Sequence, residues 1–478
     1  MLLASASAAA AQTGFCAPDH HPRTDSTFWN GWGADAANTR YQDSVQFDAS
    51  KLRLRWSFGV PGVTAIAGQP VVVGGVVYFG AQNGVIYALD ARTGCQLWTF
   101  QADAMVRTAI TVAAIQSGRY ALLFGDAKAQ VYALDVPTRK LRWKVKVGEH
   151  PWARLTGSPK LWEGKLYVPV SSNEEVPAAK PDYPCCTFRG SVVAIDEVYG
   201  KILWKTHTVP EGANGGAVWG SPAADARRKR IYIGTGNAYT APAAATTDAV
   251  LALDAATGAV QWSRQLTPGD RWTFGCVAPR ARHCEDSAAG PDFDIGAAPV
   301  LAGNRIFIGQ KSGAVFALDA DKQGEILWQQ RIGKGSALGG VMWGMAASPS
   351  ALFVPLSDQV TPAPGGMFAL DPATGRQLWS ALPTARSAQM APATATPGAV
   401  FSGDMAGRLR AYDPATGKVI WEYDTAREFN ETVNGVKARG GSINAAGAVV
   451  AQGMVFTGSG YGILGGRPGN VLLAFGVD

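Results

Sequence analysis

The chain has 478 residues, 47% hydrophobic and 17% charged, with 57 Gly and 28 Pro. A normal apolar content with 10% aromatics excludes a disordered chain, the Gly and Pro argue against a helical bundle, and no apolar run approaches the ~20 residues of a spanning helix. The net charge of +6 comes without a Lys/Arg run, which makes nucleic acid a poor partner.

Residues 1–12, Met-Leu-Leu followed by Ala and Ser, read as a signal-peptide remnant or a disordered Ala-rich tail, and 13–478 as one domain. Export to the periplasm or beyond is the expectation, and an even cysteine count agrees with an oxidising compartment. Cys185 and Cys186 are adjacent, Cys276 and Cys284 sit eight apart in a polar loop, and Cys16–Cys95 is left by elimination.

From Val85 onward one phrase recurs: an alternating strand ending A-L-D or a close variant, a turn usually containing T-G, and a strand ending in Trp. The seven copies end at Trp98, Trp143, Trp204, Trp262, Trp328, Trp379 and Trp421. Period-2 alternation marks the strands, Asp opens the turn, and Gly supplies positive φ, so each copy is a β-hairpin. In six copies Asp and Trp are eight residues apart; Asp319–Trp328 has one more. Asp48 to Trp56 keeps the spacing without the first strand, and the C-terminal VLLAFGVD supplies that strand without its Trp. Joining the two ends makes an eighth unit. The sequence therefore predicts an all-β, eight-bladed β-propeller, closed by its N- and C-terminal strands and free of exposed sheet edges.

These repeats resemble the tryptophan-docking repeats of the quinoprotein alcohol dehydrogenases, whose propellers hold pyrroloquinoline quinone (PQQ) on the central axis. CCTFRGSVVAID, GWGADAANTRYQ and GSGYGILGGRPGNVLLAFGVD resemble the polyvinyl-alcohol dehydrogenases in particular. The resemblance implies PQQ and Ca²⁺, with a lanthanide as the alternative suggested by the Asp292-x-Asp294 pair. Matching phrases give Thr156 and Ser172 as PQQ contacts, Glu175 (with Glu174 a close second) and Asn237 as metal ligands, Trp219 as the floor under PQQ, and Lys311 as the basic residue at the quinone oxygens. Cys185–Cys186 resembles the vicinal disulfide that covers PQQ in methanol dehydrogenases. Arg107 and Arg189 are candidates for the PQQ carboxylates, and Trp343 for a further PQQ contact.

The family's W-D-aromatic phrase is broken here, since Trp272 is followed by Thr273. Treating 273–291 as an insertion brings Asp292 into register as catalytic base and, together with Asp294, as a metal ligand, with Asp270 as the fallback base. Two further departures are the loss of an acidic contact near Ala67–Gln69 and Met342 where a polar residue precedes the Trp. By this reading Asp292 takes the proton of a primary or secondary alcohol, and Lys311 stabilises the developing oxyanion. No Cys-x-x-Cys-His is present, so electrons would leave through an external acceptor such as a cytochrome c. The rival expectation is a non-catalytic propeller scaffold binding protein or carbohydrate in the cell envelope.

Overall fold

A computed structural model describes residues 14–116, 118–277, 289–382 and 387–477; the expected tail at 1–12 and Cys284 lie outside them. Antiparallel registers gather the described strands into seven four-stranded sheets, one five-stranded sheet and one two-stranded ribbon. Blade 1 is Val71–Val73, Val76–Gly80, Val85–Asp90 and Gln96–Gln101. Blades 2 to 7 follow in chain order, with first strands at Thr111–Gln116, Lys160–Trp162, Ala223–Asp225, Val300–Ala302, Ala346–Ala347 and Thr394–Ala395. Blade 8 is composite: Val449–Ala451, Met454–Ser459 and Val471–Gly476 are completed by Arg53–Gly59 from near the other end of the chain. Its first strand lies against that of blade 1, so the ring closes as the sequence predicts.

The recurring phrase has a packing logic. In every blade an Ala on the third strand sits directly opposite the Trp, from Ala88 opposite Trp98 to Ala474 opposite Trp56, leaving room for the indole. Several Trp residues also donate their ring N–H to a turn of the next blade: Trp56 to Ala91 O at 3.0 Å, Trp379 to Pro414 O at 2.8 Å, Trp421 to Leu52 O at 3.1 Å. The turn Gly lies against that same indole. A Cβ at Gly94, Gly258 or Gly417 would come within 2.4–2.6 Å of Trp56, Trp204 or Trp379.

The N-terminal segment 29–42 runs around the axis and hydrogen-bonds the first strand of each blade in turn. It meets blade 1 through Trp29 N–H to Val72 O (2.8 Å) and blade 2 through Asn30 Nδ2 to Val112 O (2.8 Å). Lys160 Nζ of blade 3 donates to Asp35 O (2.7 Å), and the amides of Ala224, Leu301 and Ala347 donate to Ala36, Ala37 and Thr39 O (2.8, 2.9 and 2.8 Å). Blades 7 and 8 are reached through Ala395 N–H to Arg40 O (2.9 Å) and Gln42 Nε2 to Val450 O (3.5 Å). At its centre the buried Arg40 guanidinium donates to Trp32 O, Gln69 Oε1, Ala393 O and Thr394 Oγ1. Gln69, where the sequence suggested a lost acidic contact, is thus committed to this hub.

Candidate active site

Trp219 and Trp343 line both a small gap beside Trp32 of the hub and a larger cavity of about 180 Å³. The indoles meet edge to face, 5.2 Å between centroids. Gly296 lies against Trp219, where a Cβ would fall 1.7 Å from indole Cη2, so only glycine permits this ring position. Polar groups reach the cavity from connections on one face of the ring. Glu175 follows Lys165–Ser172, Asn237 follows Arg230–Gly234, Asp292 and Asp294 precede blade 5, and Lys311 sits in the turn after Arg305–Gly309.

Lys311 Nζ bridges Asp292 Oδ1 (2.9 Å) and Asp294 Oδ2 (2.8 Å), and lies 5.5 Å from the Trp219 ring centroid. Asp294 also accepts from Trp219 Nε1 at 3.2 Å and from Asn237 N–H at 2.8 Å. Asn237 spends its amide hydrogens on Ala238 O and Trp272 O, which leaves Oδ1 as an acceptor. Asp292 has φ 61°, in the left-handed region, and this loop is held from behind: its N–H and that of Phe293 donate to the Asp270 carboxylate at 3.3 and 2.7 Å.

Removal from water penalises all these charges. Burial pushes the Asp292 carboxyl well up, although Lys311 opposes the shift. Burial likewise pushes Glu175 up to about 7, with Lys311 opposing and Asp294 reinforcing. For Lys311 burial works against the charge, but Asp292 and Asp294 outweigh it and hold the ammonium above its ordinary value. Asp248, buried behind this cluster with neither oxygen partnered among the described residues, is pushed well up by burial and by Asp294, Asp270 and Asp292.

The structure brings Arg107, Thr156, Ser172, Glu175, Trp219, Asn237, Asp292, Asp294, Lys311 and Trp343 to one cavity. It separates the two glutamates: Glu175 faces the cavity, whereas the buried Glu174 accepts from Thr187 N–H, Phe188 N–H and Tyr183 O–H. Glu174 therefore fastens the loop carrying the Cys185–Cys186 disulfide, whose Cys186 packs in a cluster with Ala217, Tyr239 and Trp219. Cys16–Cys95 is formed, and Cys276 is disulfide-bonded. Arg189 does not reach the cavity. Its guanidinium donates to Val209 O and lines a separate cleft beside His150 and His207. Asp270 holds the Asp292 loop instead of facing the cavity. Arg154 was missed; its two-residue strand, Ala153–Arg154, pairs with Ser171–Ser172 but is too short for any alternation to show in the sequence.

A family described as outer membrane protein assembly factor BamB matches residues 33–183 and 246–471. A polyvinylalcohol dehydrogenase of a Pseudomonas species is 39% identical over 94% of this chain and 77% of its own length. A second, from a Sphingopyxis species, is 38% identical over 94% and 76%. The chain belongs to the quinoprotein alcohol dehydrogenase family, with the polyvinylalcohol dehydrogenases. The crystal structure of the quinohemoprotein alcohol dehydrogenase from Comamonas testosteroni shares the fold, with a TM-score of 0.74, 22% identity, and coverage of 94% of this chain and 80% of that one.

The cavity of this quinoprotein dehydrogenase fits a flat, carboxylate-bearing quinone beside a hard cation. Among the described residues no donor reaches the Glu175 carboxylate, Asn237 Oδ1 or Asp292 Oδ2, and such oxygens are what Ca²⁺ or a lanthanide takes. Three carboxylates face one ammonium. Opposite in sign, Arg107 Nη2 and Arg154 Nε are buried without hydrogen-bond partners, and burial with Arg107 nearby lowers Arg154 to about 10. These are donors that anionic groups of a ligand would satisfy.

Proposed function

We propose that this dehydrogenase uses PQQ with Ca²⁺ to oxidise secondary hydroxyls of polyvinyl alcohol or a similarly bulky alcohol, and passes electrons to an external cytochrome c in the periplasm or outside the cell. The observation that carries the proposal is the convergence of Glu175, Asn237, Asp292, Asp294 and Lys311 beside the Trp219 indole in one cavity. When bound, the quinone is the electron acceptor and the cation polarises it. Glu175, Asn237 Oδ1 and one of the Asp292 and Asp294 pair would hold the cation, and Arg107 and Arg154 the quinone carboxylates. Asp292, its carboxyl raised by burial and one oxygen left open, accepts the alcohol proton. Lys311 keeps Asp292 and Asp294 apart and aimed, and the indoles exclude water. Disulfides support export, and the 39% identical relative supports the polymer as substrate.

The test is reconstitution of the purified protein with PQQ and Ca²⁺, followed by dye reduction with secondary alcohols. Asp292→Ala should lower kcat by roughly 10²–10⁴ while PQQ absorption is retained. Asn237→Ala should raise the Ca²⁺ concentration needed for activity. Dye reduction that survives both substitutions would overturn the assignment.

A further inference from the structure

The wall that presents the catalytic groups has a second face. Around Lys311 and Asp292 the chain alternates: Asp292, Asp294 and Lys311 face the cavity, whereas Phe293, Gln310 and Ser312 face a cleft of about 170 Å³ on the other side. The cleft lies between blades 4 and 5, and one loop and one turn separate it from the reaction site. Its lining is polar on an apolar base and carries a single cation among the described residues. The buried Gln310 donates to Thr267 Oγ1 at 2.9 Å and accepts from Ser312 Oγ at 2.7 Å, Gln265 and the exposed Gln329 add amides, and Phe316 and Ile326 add apolar surface. Among the described residues no carboxylate lines it, and its one cation, Arg331, donates to Ser312 O.

We propose that this cleft is a second subsite for an uncharged, hydroxyl-bearing polymer chain, holding one stretch while another enters the cavity. The inference rests on the polymer reading of the substrate. Amides and hydroxyls both donate and accept, so they match secondary alcohols, and Phe293, Phe316 and Ile326 match the intervening methylenes. The cleft is too small for a folded partner, and the exposed Arg331 guanidinium is the one charge on its lining among the described residues. Because both subsites share a wall, the second segment of a bound chain engages intramolecularly, which raises affinity without altering the chemistry.

The experiment compares polyvinyl alcohol with 2,4-pentanediol, which has the same repeat but cannot span both subsites, on the PQQ- and Ca²⁺-loaded enzyme. Gln329→Trp, which fills the cleft from the exposed outer strand, should raise the polymer KM about tenfold, the equivalent of one or two hydrogen bonds. The polymer kcat and both diol constants should stay unchanged. Thr267→Val should act in the same direction with a smaller effect. An unchanged polymer KM, or a parallel loss on the diol, overturns the proposal. Binding of fluorescein-labelled polyvinyl alcohol to PQQ-free protein, read by anisotropy, separates the two ideas. Binding that Gln329→Trp weakens supports the cleft even where no alcohol is oxidised, and inactivity of the loaded wild type on both alcohols sinks only the dehydrogenase reading.

Discussion

Adjacent residues of the same type do different work in this site, and the difference lies in what each carboxylate accepts. Glu174 accepts from three donors and has His150 Nε2 3.4 Å away, whereas Glu175 accepts from none among the described residues; Asp270 is spent on two backbone amides, while Asp292 keeps an open oxygen. Elsewhere a buried charge has a measurable consequence. Lys160 Nζ donates to Asp35 O and Asn38 Oδ1, yet burial lowers it to about 8 from 10.5, with Arg40 adding repulsion and Asp35 opposing. Between those values the unfolded chain binds the proton that the folded chain has released, so this group makes stability rise with pH. Urea unfolding of wild type against Lys160→Met should show a difference that grows by about 3 kcal/mol from pH 8 to 10.5. A flat difference would mean that Lys160 keeps its ordinary affinity for the proton.

At the scale of the blade, the sequence was legible because the physics is local. Ala opposite Trp, Asp at the turn and Gly beneath the neighbouring indole are constraints within one hairpin or between two, so they recur at a readable spacing. Turn Gly258 has φ 76° and a would-be Cβ 2.5 Å from Trp204. Gly258→Ala should therefore cost about 2–5 kcal/mol, combining ~1–2 for the left-handed backbone with ~1–3 for overpacking. Blade 2 runs the experiment in reverse, since the exposed Arg139 holds φ 61° at that turn. Arg139→Gly should gain up to about 1 kcal/mol, read in the same unfolding titration. What stayed illegible is non-local. Neither the partnering of Glu174 with amides 13 and 14 residues on, nor the nearness of Arg154 to Arg107, leaves a periodic trace. The Asp292 register could be inferred only by resemblance, and Arg189 was misplaced because a motif fixes a position in the chain, not the direction of a side chain.

For the whole molecule the question is what keeps eight sheets in a ring whose centre must stay open on one face for chemistry. Strand pairing of Arg53–Gly59 with Val471–Gly476 closes the circumference, but it acts at a single blade. The hub at 29–42 acts on all eight, and Arg40 is its centre, buried against two indoles with its nitrogens on Trp32, Gln69, Ala393 and Thr394. Removing the guanidinium orphans several buried acceptors at once, each worth about 1–3 kcal/mol, so Arg40→Ala should lose roughly 3–5 kcal/mol. The spatial pattern is the sharper test. If the segment ties the blades together, the amides of Ala224, Leu301 and Ala347, which donate to its carbonyls from blades 4, 5 and 6, should exchange faster in Arg40→Ala as measured by hydrogen exchange. Loss of protection confined to blades 7 and 8 would show Arg40 to be a local contact and the ring to stand on its docked tryptophans alone.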